Sequence, residues 1–129
     1  MLDHVGFAVT NAEVSRTFYE KALAPLGLGL QMSITPDQNG SQGTVHGFGK
    51  PGDPFLWLGD NEAVGEGTHI ALRASNRAEV DAFHSAAIAA GGRDNGAPGI
   101  RENYHSNYYA AFVFDPDGIN LEAVCHEPE

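Results

Sequence analysis

Apolar and polar residues alternate over residues 2–10, with Val5, Phe7 and Val9 on one side and His4, Gly6 and Ala8 on the other. That is the period of a half-buried strand. The period then lengthens: Val14, Phe18, Ala22 and Leu23 make a helical stripe, with Thr10 or Asn11 as N-cap and Pro25 and Gly27 as the stop. Strands are expected next over 28–34, 44–49 and 55–58, with a polar loop over 36–43 and a turn over 50–54. The predicted order is β-α-β-β-β.

The second half repeats it. Residues 68–74 read as a strand, with Ile70 and Leu72 on one face and His69, Ala71 and Arg73 on the other. A helix from about 77 to 90 carries Val80, Phe83, Ala87 and Ala90 and stops at Gly91-Gly92. Strands follow over 96–101, 108–114 and 120–126, the last two joined by Asp115-Pro116-Asp117-Gly118, which is hairpin-turn chemistry. Placing His4 on His69 fixes an offset of 65 residues that also matches Val5 with Ile70, Phe7 with Leu72, Asn11 with Asn76, Phe18 with Phe83 and Leu56 with Leu121. The expected fold is therefore α+β, a single domain over 1–129 built from two tandem β-α-β-β-β modules, about 1–60 and 67–127.

Composition narrows the setting. The chain has 129 residues, enough for one core. No apolar run approaches a membrane span and no basic-then-apolar leader opens the chain, so neither a membrane segment nor a signal peptide is expected. A net charge of −10 with 7 Lys and Arg argues against nucleic acid as a partner. One cysteine, Cys125, forms no internal disulfide and fits a reducing cytoplasm.

The chemistry centres on Glu122. In the last strand Leu121, Ala123 and Cys125 face one way, and Asn120, Glu122 and Val124 the other, which leaves a carboxylate in mid-strand that needs a partner. The offset of 65 makes the corresponding positions of the two modules His4, Trp57, His69 and Glu122. Two imidazoles and a carboxylate are the donors of a 2-His-1-carboxylate metal site. Trp57 cannot ligate, since its indole only donates, so positions stay open for water or substrate.

These features resemble the vicinal oxygen chelate superfamily, the glyoxalase, bleomycin-resistance and extradiol-dioxygenase group. The resemblance is carried by the tandem modules, Asp3-His4-Val5, Thr68-His69-Ile70-Ala71-Leu72 and the run from Asp115-Pro116-Asp117-Gly118 to Glu122. It implies a glyoxalase-like domain whose modules form a curved mixed sheet around a cleft, and a homodimer. It also implies one divalent ion, Fe, Mn, Ni or Zn, held by His4, His69 and Glu122. Glyoxalase I and methylmalonyl-CoA epimerase usually place Glu or Gln where this chain has Trp57, so neither activity is assigned by name. Bleomycin-resistance members generally lack the metal triad.

Further candidates surround this set. Pairing Phe114 with Ile119 across the turn would put Tyr109 beside Val124 on the cleft side, as an acid-base candidate with Tyr108 facing away; a one-residue bulge would reverse them. His105, in the polar run 101–107, is a second acid-base candidate or a solvated loop residue. Trp57, Arg73, Tyr108 and His46 are substrate-binding candidates: Trp57 as an aromatic wall, Arg73 as an anion holder on the face of His69, His46 as a neighbour of the cleft. Each also has an ordinary packing or surface reading. His84 and His126 read as surface residues and Cys125 as a buried apolar one.

Two function classes follow. One is a metal-dependent enzyme, a lyase, isomerase, transferase or extradiol-type dioxygenase acting on a small oxygen-rich molecule. The other is a non-catalytic small-molecule binding or sequestration protein. In a dimer, His4 can meet His69 and Glu122 within one chain or across two.

Overall fold

The computed structural model describes residues 2–40 and 42–129; Ser41, inside the expected polar loop, lies outside the described residues. The strands are β1 (Val5–Ala8), β2 (Gly29–Ile34), β3 (Val45–Lys50), β4 (Asp53–Gly59), β5 (His69–Arg73), β6 (Arg93–Ile100), β7 (Tyr109–Phe114) and β8 (Asn120–Cys125). The helices are α1 (Ala12–Leu23), one-turn α2 (Pro36–Asn39) within the expected loop, and α3 (Arg77–Ala89), with a single 3-10 turn at Ala24–Leu26. The strands form two mixed sheets, ordered β1-β4-β3-β2 and β5-β8-β7-β6. The α+β architecture of two like modules is thus the one the pattern predicts.

Their registers are copies. In the parallel ladders Gly6 pairs with Trp57 and Ala71 with Glu122. In the antiparallel ladders Gly47 pairs with Trp57 and Phe112 with Glu122. All four pairs obey the offset of 65. Asn11 and Asn76, matched by the same offset, cap the two long helices: Asn11 Oδ1 accepts from the amides of Glu13 and Val14, and Asn76 Oδ1 from that of Glu79.

The stripe of α1 is rotated from the one expected. Val14 is half exposed, and the buried face is Ala12, Ser15, Phe18, Tyr19, Ala22 and Leu23. Two polar residues join the apolar ones because both have partners across the core. The Tyr19 hydroxyl donates to Asp115 at 2.8 Å, and Ser15 Oγ lies 3.5 Å from Asp117 Oδ2. Strand edges shift too. β4 begins at Asp53 instead of Phe55, β6 begins at Arg93 instead of Gly96, and β1 is shorter, which leaves His4 just outside its ladder.

One core serves both modules. Phe18, Tyr19, Leu56 and Leu58 from the first share a cluster with Val80, Phe83, Val113 and Leu121 from the second, and α1 packs on α3. Each fully buried Phe or Leu there contributes roughly 1.5–3 kcal/mol of burial. The face of each sheet away from its helix is left for chemistry. Among the described residues no helix is long and apolar enough to cross a membrane.

Asp115 ties the modules together. It is buried, its Oδ1 accepts from the amides of Asp117 and Ile119, and its Oδ2 accepts from Tyr19. Burial raises its pKa, and those three hydrogen bonds oppose the rise. The Tyr19 phenol is driven well above 10.0, first by burial and then by the Asp115 charge. A group whose pKa is raised by folding contributes stability that is present below its unfolded pKa and lost as pH climbs toward the folded one. Tyr19→Phe should therefore cost about 1–3 kcal/mol at neutral pH, since a buried carboxylate loses a donor. It should also remove part of the loss of stability expected of the parent above pH 10.0. Urea unfolding at pH 7 and above pH 10.0 reads both.

Candidate functional site

The hairpin turn decides which tyrosine meets Glu122. Asp115 and Ile119 close the loop, Asp115 N–H to Ile119 O at 3.0 Å, so only residues 116–118 lie between them and Gly118 takes φ 82°. Phe114 then pairs with Asn120, not Ile119, and Tyr109 pairs with Cys125. The loop is one residue longer than expected, and every side chain of β7 changes face.

Tyr109 accordingly points to the helix side. Its hydroxyl donates to Asp81 of α3 at 2.6 Å, and the Arg77 guanidinium sits 5.1 Å from its ring centre. The expectation that Tyr109 lines the cleft is corrected, and Tyr108 takes that place. The Tyr108 hydroxyl donates to Glu122 Oε1 in a very short hydrogen bond. Burial, followed by the Glu122 contact, pushes its pKa up to about 12, so it stays a proton donor at any ordinary pH.

Glu122 is 1 % exposed, and both its oxygens are engaged. His69 Nε2 lies 2.8 Å from Oε2, opposite the tyrosine, and the His69 ring is half exposed. Phe112, the ladder partner of Glu122, stands beside His69 with ring centres 6.3 Å apart. The site is thus a buried carboxylate between an accessible imidazole and a phenol.

A second layer surrounds the phenol. His105 and His126 stack with ring centres 5.0 Å apart, and His105 Nε2 is 2.7 Å from His126 Nδ1. The Asn107 amide donates to His105 Nδ1, which leaves Nε2 to carry the proton toward His126. Both rings, and that of Tyr104, lie against Tyr108. His105 therefore touches the site through Tyr108. His126, expected to be a surface residue, belongs to the same group; its sequence signal was its place two strand periods after Glu122.

The remaining candidates lie elsewhere. His46 is buried on the helix side of its sheet, paired with Leu58, with Nδ1 2.8 Å from Ser33 Oγ and Nε2 3.1 Å from Glu13 Oε1. The offset that matches it to Ala111, a core residue, carries that placement. Arg73 ends β5, exposed, near Lys50. His4 is exposed, 2.7 Å from Asp3 Oδ1, and lines a cavity of about 310 Å3 with Leu2, Phe55 and Ala71. Among the described residues no three His, Cys, Asp or Glu side chains converge as a ligand set, so His4 does not join His69 and Glu122 within one chain.

Trp57 occupies the position of Glu122 in the first sheet and fills it differently. Gly47 stands where the second module has Phe112, and a Cβ there would come within 2.7–2.9 Å of the Trp57 ring. The indole lies in the space that glycine leaves, against a cavity of about 500 Å3 lined by Gly6, Ala8, Val45 and Thr68. Trp57 is the one tryptophan of the chain, so its emission reports this contact alone. Gly47→Ala should shift that emission and cost about 1–3 kcal/mol by overpacking. Gly6→Ala, whose nearest new contact is 3.7 Å, should leave both nearly unchanged.

Comparison with known proteins follows the same lines. A family model described as the Glyoxalase/Bleomycin resistance protein/Dioxygenase superfamily matches residues 1–123. No curated protein matches the chain. Among solved structures, a glyoxalase/bleomycin resistance protein from Albidiferax ferrireducens is 29% identical over 97% of each chain, with a TM-score of 0.71. A mutant of glyoxalase I from Zea mays is 26% identical over 95% of this chain, TM-score 0.73, but this chain spans only 46% of its length. A glyoxylase/bleomycin resistance protein/dioxygenase domain from Frankia shares the fold at 16% identity, covering 98% of each chain with a TM-score of 0.74.

Proposed function

The chain belongs to the glyoxalase/bleomycin resistance protein/dioxygenase superfamily, and from that premise we propose that it is a metal-dependent enzyme acting on a small, oxygen-rich substrate. The observation that carries the reading is Glu122, a carboxylate buried in mid-strand with His69 Nε2 at 2.8 Å. A buried carboxylate beside an accessible imidazole is an expensive arrangement unless it serves as a ligand pair or an acid-base pair. The donor chemistry fits a divalent ion, Fe, Mn, Ni or Zn, of the kind members of this superfamily typically use.

Two ligands do not complete the set. His4 is the third in this reading, and its exposure and distance from a converging group support its delivery by a second copy of the chain, in a homodimer. The ion would supply Lewis-acid polarisation of a substrate oxygen. The chain's own residues do the rest. Tyr108 fixes one oxygen of Glu122 and so orients the other. His105 and His126 hold Tyr108 from the side, and Phe112 limits how far His69 can swing. Tyr108 replaces Tyr109 as the acid-base candidate.

A second reading has its own observation. The cavity beside Trp57 offers an aromatic wall away from Glu122, as a non-catalytic binding or sequestration protein of the bleomycin-resistance type would use.

Elemental analysis after metal reconstitution separates them. The enzyme reading expects about one divalent ion per chain, and markedly less in Glu122→Ala, His69→Ala and His4→Ala. A heterodimer of His4→Ala with Glu122→Ala chains should regain about one ion per dimer, because one of its two shared sites is intact. No ion in the parent would sink the metal reading and leave the Trp57 cavity as the functional one. No recovery in the heterodimer would overturn the delivery of His4 by a second copy of the chain.

A further inference from the structure

The chain's cations are mostly occupied. Arg16 pairs with Glu20 and Arg77 with Glu129, while Arg93 and Arg101 lie over the rings of Phe114 and Phe112. Lys21, exposed on α1, also has no ion pair among the described residues, whereas Lys50 and Arg73 stand together at one cavity. Among the described residues neither has a carboxylate within ion-pairing distance or a side-chain hydrogen bond. In a chain of net charge −10, two unpaired cations at one place are unusual, and both line the same cavity.

That cavity, of about 410 Å3, lies between the β3–β4 turn and the end of β5. Leu28, Phe55 and Leu72 give it an apolar wall, and Asp53 is its single acid. Two cations against one carboxylate leave a local positive excess, which favours an anion and disfavours a cation. A guanidinium offers two parallel N–H groups to a carboxylate or phosphate, and the ammonium adds a compact charge beside it. The wall suits a hydrocarbon or aromatic body, and the volume falls within the range of small-molecule sites.

We propose that this cavity binds a small organic oxyanion, its carboxylate or phosphate held by Arg73 and Lys50 and its apolar body against Phe55 and Leu72. The cavity shares Asp53, Phe55, Ala71 and Leu72 with the one lined by His4, so the two are successive lengths of one groove. As a binding site it stands without a metal. Only its use for the anionic end of a substrate rests on the function proposed above.

The test is an NMR titration of the full chain, kept metal-free with chelator, using hexanoate, phenyl phosphate and inorganic phosphate. Saturable amide shifts at Leu28, Lys50, Phe55 and Arg73 are expected with at least one organic anion, and whichever binds more tightly identifies the head group. Arg73→Gln and Lys50→Gln should each weaken binding about tenfold, the usual worth of a charged hydrogen bond. Asp53→Asn should tighten it. Shifts that do not saturate, or affinity unchanged in both Gln variants, would overturn the proposal. Inorganic phosphate binding as tightly as phenyl phosphate would overturn the part given to the apolar wall. Because no metal is present, failure here is distinct from failure of the metal reading.

Discussion

The structure turns on the carboxylate of Asp115. Its oxygens take two amides of its own loop and the hydroxyl of Tyr19, so one buried side chain closes the last hairpin and docks it on the first helix. Closing the loop at Ile119 fixes how β7 pairs with β8, and a strand slipped by one residue would present its other face everywhere. Tyr108 rather than Tyr109 meets Glu122 for that reason. Asp117, next along the loop, accepts from the Thr10 amide at the entrance to α1, adding a second link between modules.

The same ladder is used twice for unlike ends. In the first sheet Gly6 and Gly47 flank Trp57; in the second Ala71 and Phe112 flank Glu122. Small neighbours around a large indole fill space without charge. A large neighbour beside a carboxylate does the opposite, shielding it from water and making its two partners, His69 and Tyr108, necessary. One module therefore offers a wall and the other a charged, oriented group. The repeated ladder supplies the frame, and the side chains at one matched position set the division of labour.

Burial also sorts the histidines. His46 and His69 both stand on strands of like modules, yet His46 is enclosed between Ser33 and Glu13 while His69 is half exposed beside Glu122. An imidazole with both nitrogens bonded in the core holds a helix to a sheet. An imidazole with one nitrogen on a buried carboxylate and one edge in solvent can exchange that partner for a ligand.

Much of this was legible in the sequence. The offset of 65 residues predicted the paired modules and the shared face of His69 and Glu122, and it matched Asn11 with Asn76, which both cap helices, because strand period and repeat register are local properties that survive folding. It also matched His46 to the core residue Ala111. Three features were decided only by the tertiary structure. The phase of α1 followed from partners for Tyr19 and Ser15 a hundred residues away, not from hydrophobicity. The choice between adjacent tyrosines followed from a one-residue difference in loop length, which turn residues alone do not determine. The separation of His4 from His69 and Glu122 followed from how two sheets pack on one core, a long-range arrangement that no local spacing encodes.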